Sequence, residues 1–342
     1  MTALRWALVG PGRIAQAFAK ALHSLPGAEL ATVCGRDAAR AEAFARDCTP
    51  AGKPLPDTCT DLATRLARGD IHAVYVATPH AQHAEAVAAA LQAGCGVLCE
   101  KSLTPGRAQA EPLVALARAR GLFLMEAVWT RFLPAYAQVK RWMDEGAIGR
   151  LHGIQSSFCF PLPFDATDRL YDPARAGGAL LDVGIYNLTA TRWALQQALG
   201  HVPEPVALDV RGELAPSGVD RHVAATLHFD DGSPGGITSQ FMCGFALRSD
   251  NSLRLMGDAG CIVLPKHFWM AQRVELHRDF GPPEVVDTPF ACNGLEGEIS
   301  EAMRCMRAGL VESPAMTLDE TLATLGWMDQ LRARLGVRYA WE

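Results

Sequence analysis

No C-x-x-C pair occurs among the ten cysteines of this chain, and they are scattered along its length. With no secretory signal to accompany them, they read as reduced and mostly buried thiols. Basic runs and arms are also missing, and the net charge is −5. Phosphate-backbone binding needs a concentrated positive face, so nucleic acid is excluded as a partner, although a small anion could be held locally. No apolar segment approaches the ~20 residues that span a bilayer, so no membrane partner is expected. The first apolar run, in "MTALRWALVGPG", is broken by Gly and Pro after about five residues, too short for a signal sequence, and a cytoplasmic protein is expected. There is no internal repeat and no low-complexity linker.

The chain does contain 342 residues, 49% of them apolar and 20% charged, an ordinary globular composition too long for one comfortable core. Two domains are expected, 1–122 and 123–342. Strand-like and helix-like stretches alternate strictly through the first third: "LRWALVG", "RIAQAFAKALHSL", "AELATVC", "AARAEAFARDC", "HAVYVAT", "AQHAEAVAAALQAG", "GVLCE" and "RAQAEPLVALARARG". Continuous apolar strands alternating with helices predict a doubly wound parallel sheet of Rossmann type. The rhythm then changes. Helical segments at "PAYAQVKRWMDEG" and 178–200 flank the strand "LHGIQSSFCF", and several strands follow, joined by the turn signals "DDGS" and "GDAG". This predicts an α+β domain with a largely antiparallel open sheet, closed by helices "LEGEISEAMRCMRAG" and "LDETLATLGWMDQLRARLG".

Gly10, Gly12 and Ala15 form G-x-G-x-x-A directly after the first strand and at the start of a helix. That context is what a dinucleotide fingerprint requires. Gly10 permits the turn, Gly12 admits the pyrophosphate, and Arg13 and Ile14 open the helix whose N-terminus receives it. The second strand ends in Gly35-Arg36 where a NAD-preferring fold places an acid, with Arg40 one turn on. Guanidinium groups there suit a 2′-phosphate, so NADP is the expected cofactor, and the neighbouring Asp37 leaves NAD possible. In "ATPHAQH", His80 and His83 have H-x-x-H spacing, but two ligands are too few for a metal site and none is expected. Polar residues at a strand's carboxyl end face the ligand crevice, which assigns Thr78, Pro79 and His83 to the cofactor and His80 to the substrate. Glu100-Lys101 sits at the end of "GVLCE" in the same way. Finally, "LLDVGIYNL" places Asp182 and Tyr186 one turn apart, on one face of an otherwise apolar helix. The residues there allow a wet phenol tip beside a helix-start acid, or a pair that does chemistry.

Taken in order, "GPGRIA", "VYVATPHAQHAEAVAAALQAG", "VLCEKSLT", "MEAVWTRFLPA" and "GGALLDVGIYNL" resemble the Gfo/Idh/MocA family of NAD(P)-dependent oxidoreductases over essentially the whole chain. The last two segments look most like its branch of dimeric dihydrodiol dehydrogenases and NADP-dependent D-xylose dehydrogenases. Ser102 stands where family members read Glu-Lys-Pro, and Tyr186 where many relatives carry His. The resemblance implies Lys101, Asp182 and Tyr186 as the catalytic set. Glu100, Lys101, Trp129 and Arg131 are expected near the cofactor, and Phe158, Phe160 and Arg169 near the substrate. The implied reaction moves a hydride between nicotinamide and a hydroxyl carbon of an aldose or related cyclic diol. Alternatives on the same scaffold are inositol, deoxysugar or sugar-nucleotide dehydrogenation, or a non-catalytic nucleotide sensor. Apolar residues at both alternating phases of "HVAATLHF" and "GGITSQFMCGF" predict a homodimer through the outer face of the second sheet.

Overall fold

A computed structural model describes residues 3–278 and 281–339. The chain divides into two units, Met1–Trp129 with Ala291–Leu325, and Thr130–Phe290 with Gly326–Glu342. The first unit begins with β1 (Leu4–Val9), α1 (Arg13–Ser24), β2 (Ala28–Cys34), α2 (Ala38–Cys48), β3 (Asp57–Cys59), α3 (Leu62–Leu66) and β4 (Ala73–Val76). It continues with α4 (His83–Gln92), β5 (Gly96–Glu100), α5 (Arg107–Arg120) and β6 (Leu124–Ala127). The strands form one six-stranded parallel sheet in the order β3-β2-β1-β4-β5-β6. Strands β4, β5 and β6 are buried along their whole length, as expected for a sheet covered on both faces. Edge strand β3 was not legible in the Pro-rich stretch before it, because three residues are too few to show a period.

The second unit contains α6 (Pro134–Asp144), β7 (Leu151–Cys159), α7 (Ile185–Leu199), β8 (Ala207–Leu214), β9 (Asp220–Phe229) and β10 (Ile237–Gly244). Strands β11 (Leu253–Gly257), β12 (Cys261–Leu264), β13 (Arg273–His277) and β14 (Glu284–Asp287) complete it. These build an eight-stranded sheet, β14-β13-β12-β11-β7-β10-β9-β8, antiparallel except where β10 meets β7.

The expected boundary at 122 falls before β6, which completes the first sheet. The first unit is also discontinuous in sequence. Helix α8 (Glu296–Arg307) returns to it and packs so closely that a Cβ on Gly96 would lie 2.7 Å from Met306 Sδ. Nothing in an amphipathic helix names the sheet it will cover, so a contiguous division was the natural reading. The last helix is α9 (Leu318–Leu335).

On the second sheet, the both-phase apolar reading of β9 and β10 gives way to alternation. From Val223 to Phe229 and from Ile237 to Cys243 every second residue is buried, and the others include Thr226, His228, Thr238, Gln240 and the 39% exposed Met242.

Candidate functional site

The turn from β1 into α1 is shaped by its glycines. Gly10 adopts φ +92°, and a Cβ there would lie 2.7 Å from the Ala77 carbonyl oxygen, so only glycine fits. Gly12 is constrained differently. Its Cβ would meet nothing nearer than Gly10 O at 4.0 Å, so packing within the chain does not demand a glycine. What the missing side chain leaves is open space over the start of α1, a helix with no side-chain cap. Uncapped first-turn amides beside such a cradle fit the pyrophosphate of a dinucleotide. Thr78 Oγ1, in the turn after β4, is buried with no partner in the chain and fits the same role. Arg13 and Ile14 are exposed on the first turn.

At the end of β2, Gly35 is required by Pro11, whose ring carbons would lie 2.9 Å from an added Cβ. Asp37 accepts the Arg40 amide hydrogen at 3.1 Å as the cap of α2, which ties the one local acid to the helix. Arg36 is exposed, and Arg40 is exposed with a guanidinium NH donating to Pro11 O at 3.4 Å. Two exposed cations therefore stand beside the one local acid, which caps α2.

At the ends of β4 and β5 the histidines lie against backbone. His83 is fully buried, with Nδ1 2.9 Å from Ser102 O and Nε2 2.8 Å from Thr78 O. His80 is 7% exposed, with Nε2 3.2 Å from Lys101 O. Glu100 faces inward, accepting the Tyr75 hydroxyl at 2.5 Å. Beyond it Glu298 on α8 is fully buried with both carboxyl oxygens unpartnered, and burial followed by the Glu100 charge holds its pKa well above the usual range. Lys101 is half-buried at the end of β5. Glu126 on β6 steadies the following loop, accepting the Leu103 amide at 2.8 Å and the Thr321 hydroxyl at 3.0 Å.

In the second unit, "LLDVGIYNL" does not form the expected α-helix throughout. Leu180–Gly184 is a π-helical turn, and α7 proper starts at Ile185. Such widened turns recur at functional sites. The turn is held from below by Asp220, at the start of β9. This carboxylate is fully buried, accepts the Leu180 amide at 2.5 Å, and is pushed by burial to a pKa of about 6. Gly178, at φ +119°, makes the room, since a Cβ there would clash with Asp220 Oδ1. Neither Asp220 nor its role had a local sequence signal.

Asp182 lies on this turn, 3.2 Å from Arg169 Nη1. Tyr186 is 7% exposed, its ring 5.7 Å from that of Phe158. Phe158 stacks on Trp269 with centroids 3.3 Å apart and planes 6° from parallel, and Phe160 lies 6.3 Å from Phe158. The structure therefore gathers Asp182, Tyr186, Phe158, Phe160 and Arg169, as the sequence implied, and adds Trp269. The aromatic pair in "KHFWMAQ" was the available signal for Trp269. Arg131 donates to Thr189 O on α7 at 3.4 Å. Trp129 opens the same short 3-10 turn, within the first unit.

Among the described residues no cluster of three or more potential ligands could hold a metal, and no helix is long and apolar enough to cross a membrane.

Residues 4–128 match the family described as "Oxidoreductase family, NAD-binding Rossmann fold", and 136–263 match the GFO/IDH/MocA C-terminal domain. Trans-1,2-dihydrobenzene-1,2-diol dehydrogenase of Homo sapiens is 33% identical over 98% of both chains, and the Bos taurus enzyme 31%. Among solved structures, KijD10, a 3-ketoreductase from Actinomadura kijaniata in complex with NADP and TDP-benzene, is 28% identical, with TM-score 0.80 over 97% of this chain and 98% of that one. Variants of KijD10 with a lysine or a tyrosine replaced have also been solved. Aldose-aldose oxidoreductase from Caulobacter crescentus shares the fold at TM-score 0.84, over 97% of each chain, with 22% identity. Matched in each of its units and aligned along nearly its whole length with curated relatives, the chain belongs to the Gfo/Idh/MocA family of oxidoreductases and carries that family's NAD-binding Rossmann domain.

Proposed function

We propose that this enzyme is an NADP-dependent dehydrogenase that oxidises a ring hydroxyl of an aldose or a cyclic trans-diol. The observation that carries this reading is the setting of Tyr186, a buried phenol beside the stacked Phe158–Trp269 floor, with the Asp182–Arg169 pair on the same segment. An aromatic floor accepts the C–H face of a small ring, and the few polar groups at its edge orient the hydroxyls.

The overall reaction converts a ring carbinol and NADP+ to the corresponding carbonyl compound, NADPH and a proton. The carbinol carbon gives up its hydrogen as hydride, and the hydroxyl oxygen gives up its hydrogen as the proton. When bound, the nicotinamide supplies the hydride acceptor. The chain's own residues handle the proton: Tyr186, as phenolate, takes it from the hydroxyl oxygen. An ammonium favours a neighbouring phenolate, which is the part proposed for Lys101. Asp182, held by Arg169, orients the substrate hydroxyl rather than accepting its proton. The exposed Arg36 and Arg40, with Asp37 tied up as a helix cap, favour NADP over NAD.

We further infer a homodimer built on the open face of the second sheet. There a concavity of about 470 Å³ runs over Gln155, Asp209, Arg211, Thr226, Gln240 and Arg254. The lining also includes Val210, Ala224, Phe241 and Met242, so the interface would combine apolar packing with polar pairs at these positions. Light scattering at the monomer mass under micromolar dilution would remove this part of the reading.

The test of function is NADP+ reduction over a panel of D-xylose, D-glucose, myo-inositol and trans-1,2-cyclohexanediol, with wild type and Tyr186→Phe. Turnover of an aldose or diol that falls ~10²–10⁴-fold in Tyr186→Phe is expected. A panel without turnover, alongside oxidation of NADPH by a TDP-linked ketosugar, would favour the ketoreductase reading that the likeness to KijD10 supports.

A further inference from the structure

Both imidazoles of the H-x-x-H pair in the first unit are buried and aimed at backbone. His83 begins α4, is fully enclosed, and presents its two nitrogens to two backbone carbonyls, Ser102 O at 2.9 Å and Thr78 O at 2.8 Å. His80, in the short turn before α4, presents Nε2 to Lys101 O at 3.2 Å. The three carbonyls belong to the turn after β4 and to the two residues that follow β5. One of those residues is Lys101.

A buried carbonyl left without a donor costs about as much as a lost hydrogen bond. Segments that end parallel strands have no ladder to supply donors, so the imidazoles supply them. A flexible side chain could meet one such carbonyl. The rigid ring of His83 lies between two, donating its N–H to one and packing against the other, and thereby fixes the spacing between the segments that contain them. Burial lowers its pKa and keeps the ring neutral, so a single ring N–H bridges from α4 to these segments.

We propose that His80 and His83 are positioning residues for Lys101: together they clasp the Lys101–Ser102 backbone to the turn after β4, and so set where the Lys101 ammonium stands. The clasp rests on the role given to Lys101 above.

The experiment uses the full chain with NADP+ and trans-1,2-cyclohexanediol, or the best-turned-over member of the panel, and compares His83→Ala, His83→Asn and His83→Gln, each with Lys101 present and with Lys101→Ala. The Asn amide nitrogen reaches the place of Nδ1 and keeps the Ser102 bond, whereas that of Gln reaches the place of Nε2 and keeps the Thr78 bond. Misplacing a catalytic group costs about 10- to 100-fold, so His83→Ala is expected to lower kcat by that factor while changing the KM of the alcohol by less than about threefold. On the Lys101→Ala background the same change is expected to cost less than about twofold, since residues acting as a unit are not additive. His83→Asn is expected to retain more kcat than His83→Gln. Without cofactor, hydrogen exchange of residues 100–106 is expected to quicken in His83→Ala. A folded His83→Ala with wild-type kcat, equal losses on both backgrounds, or unchanged exchange of 100–106 overturns the clasp alone. Wild-type kcat in Lys101→Ala overturns the Lys101 assignment and the clasp with it. Should His83→Ala fail to fold, the Asn and Gln variants carry the same comparison on both backgrounds, and equal kcat in the two overturns it.

Discussion

Asp220→Asn separates the charge of Asp220 from its shape. The wild-type carboxyl is fully buried, with one oxygen on the Leu180 amide at 2.5 Å and the other unpartnered, and burial pushes its pKa up to about 6. A free aspartate titrates near ~3.9. Between those values the folded chain holds a proton that the unfolded chain has released. Asp220 therefore favours folding below about pH 4, and that contribution is lost as the pH rises through about 6. A shift of roughly two units corresponds to ~2–3 kcal/mol. Asparagine keeps an acceptor for the Leu180 amide and never ionises. It is expected to match the wild type within ~1 kcal/mol at about pH 4 and to exceed it by ~2–3 kcal/mol at about pH 8. At about 2–4 °C per kcal/mol, the gain at the higher pH is about 4–12 °C in Tm. Paired thermal melts of the two proteins across this range read the difference directly. The accompanying loss should be functional, because a neutral amide holds the π turn under Asp182 less firmly, and kcat should fall several-fold. A Tm difference that is independent of pH, or is largest in acid, refutes the account of Asp220 as a strained buried charge.

Arg36→Ala should weaken NADP+ binding by about 10- to 150-fold, the worth of one charge-assisted hydrogen bond, and leave NAD+ almost unchanged; equal losses in titrations of both cofactors would contradict the assignment. Lys101→Met should lower kcat about as much as Tyr186→Phe, and the double variant should be little worse than either, a result that simple multiplication of the two losses would exclude. The rise of wild-type oxidation with pH should be absent from kcat/KM in Tyr186→Phe. Glu298→Gln should raise stability at neutral pH, since the folded chain keeps Glu298 protonated where the unfolded chain ionises it. In denaturant melts that gain should vanish as the pH falls through the carboxylate range.

Much of the site was legible because its signals are local. Gly10, directly after an apolar strand, announces a turn that only glycine can make, and an Arg-for-acid exchange at Arg36 is visible in the residues themselves. The pair Asp182 and Tyr186 stood out as ionisable groups on an apolar stripe. Polarity alone does not give direction. His80, His83, Glu100 and Arg131 are polar and near strand or helix ends, and their partners include Lys101 O, Ser102 O, the Tyr75 hydroxyl and Thr189 O. A polar side chain in a buried place serves whichever unsatisfied group lies nearest, and sequence spacing does not reveal which one that is. Trp269, which floors the region of Tyr186, lies far from Phe158 in sequence and comes to it only through the strand order of the second sheet.

By itself the sequence determined the class of both units, the alternating α/β unit and the mostly antiparallel one, because hydrophobic period and turn chemistry act over a few residues. It also determined that a strand, a glycine turn and a helix start are contiguous. Tertiary structure alone decided that β6 and α8 belong with the first sheet and that Asp220 grips the turn beneath Asp182. It likewise decided which backbone carbonyls His80 and His83 face. Each of these depends on contacts between residues distant in the chain, and burial sets their energies: a carboxylate or an imidazole takes its role from the groups that enclose it, and those are chosen by the fold.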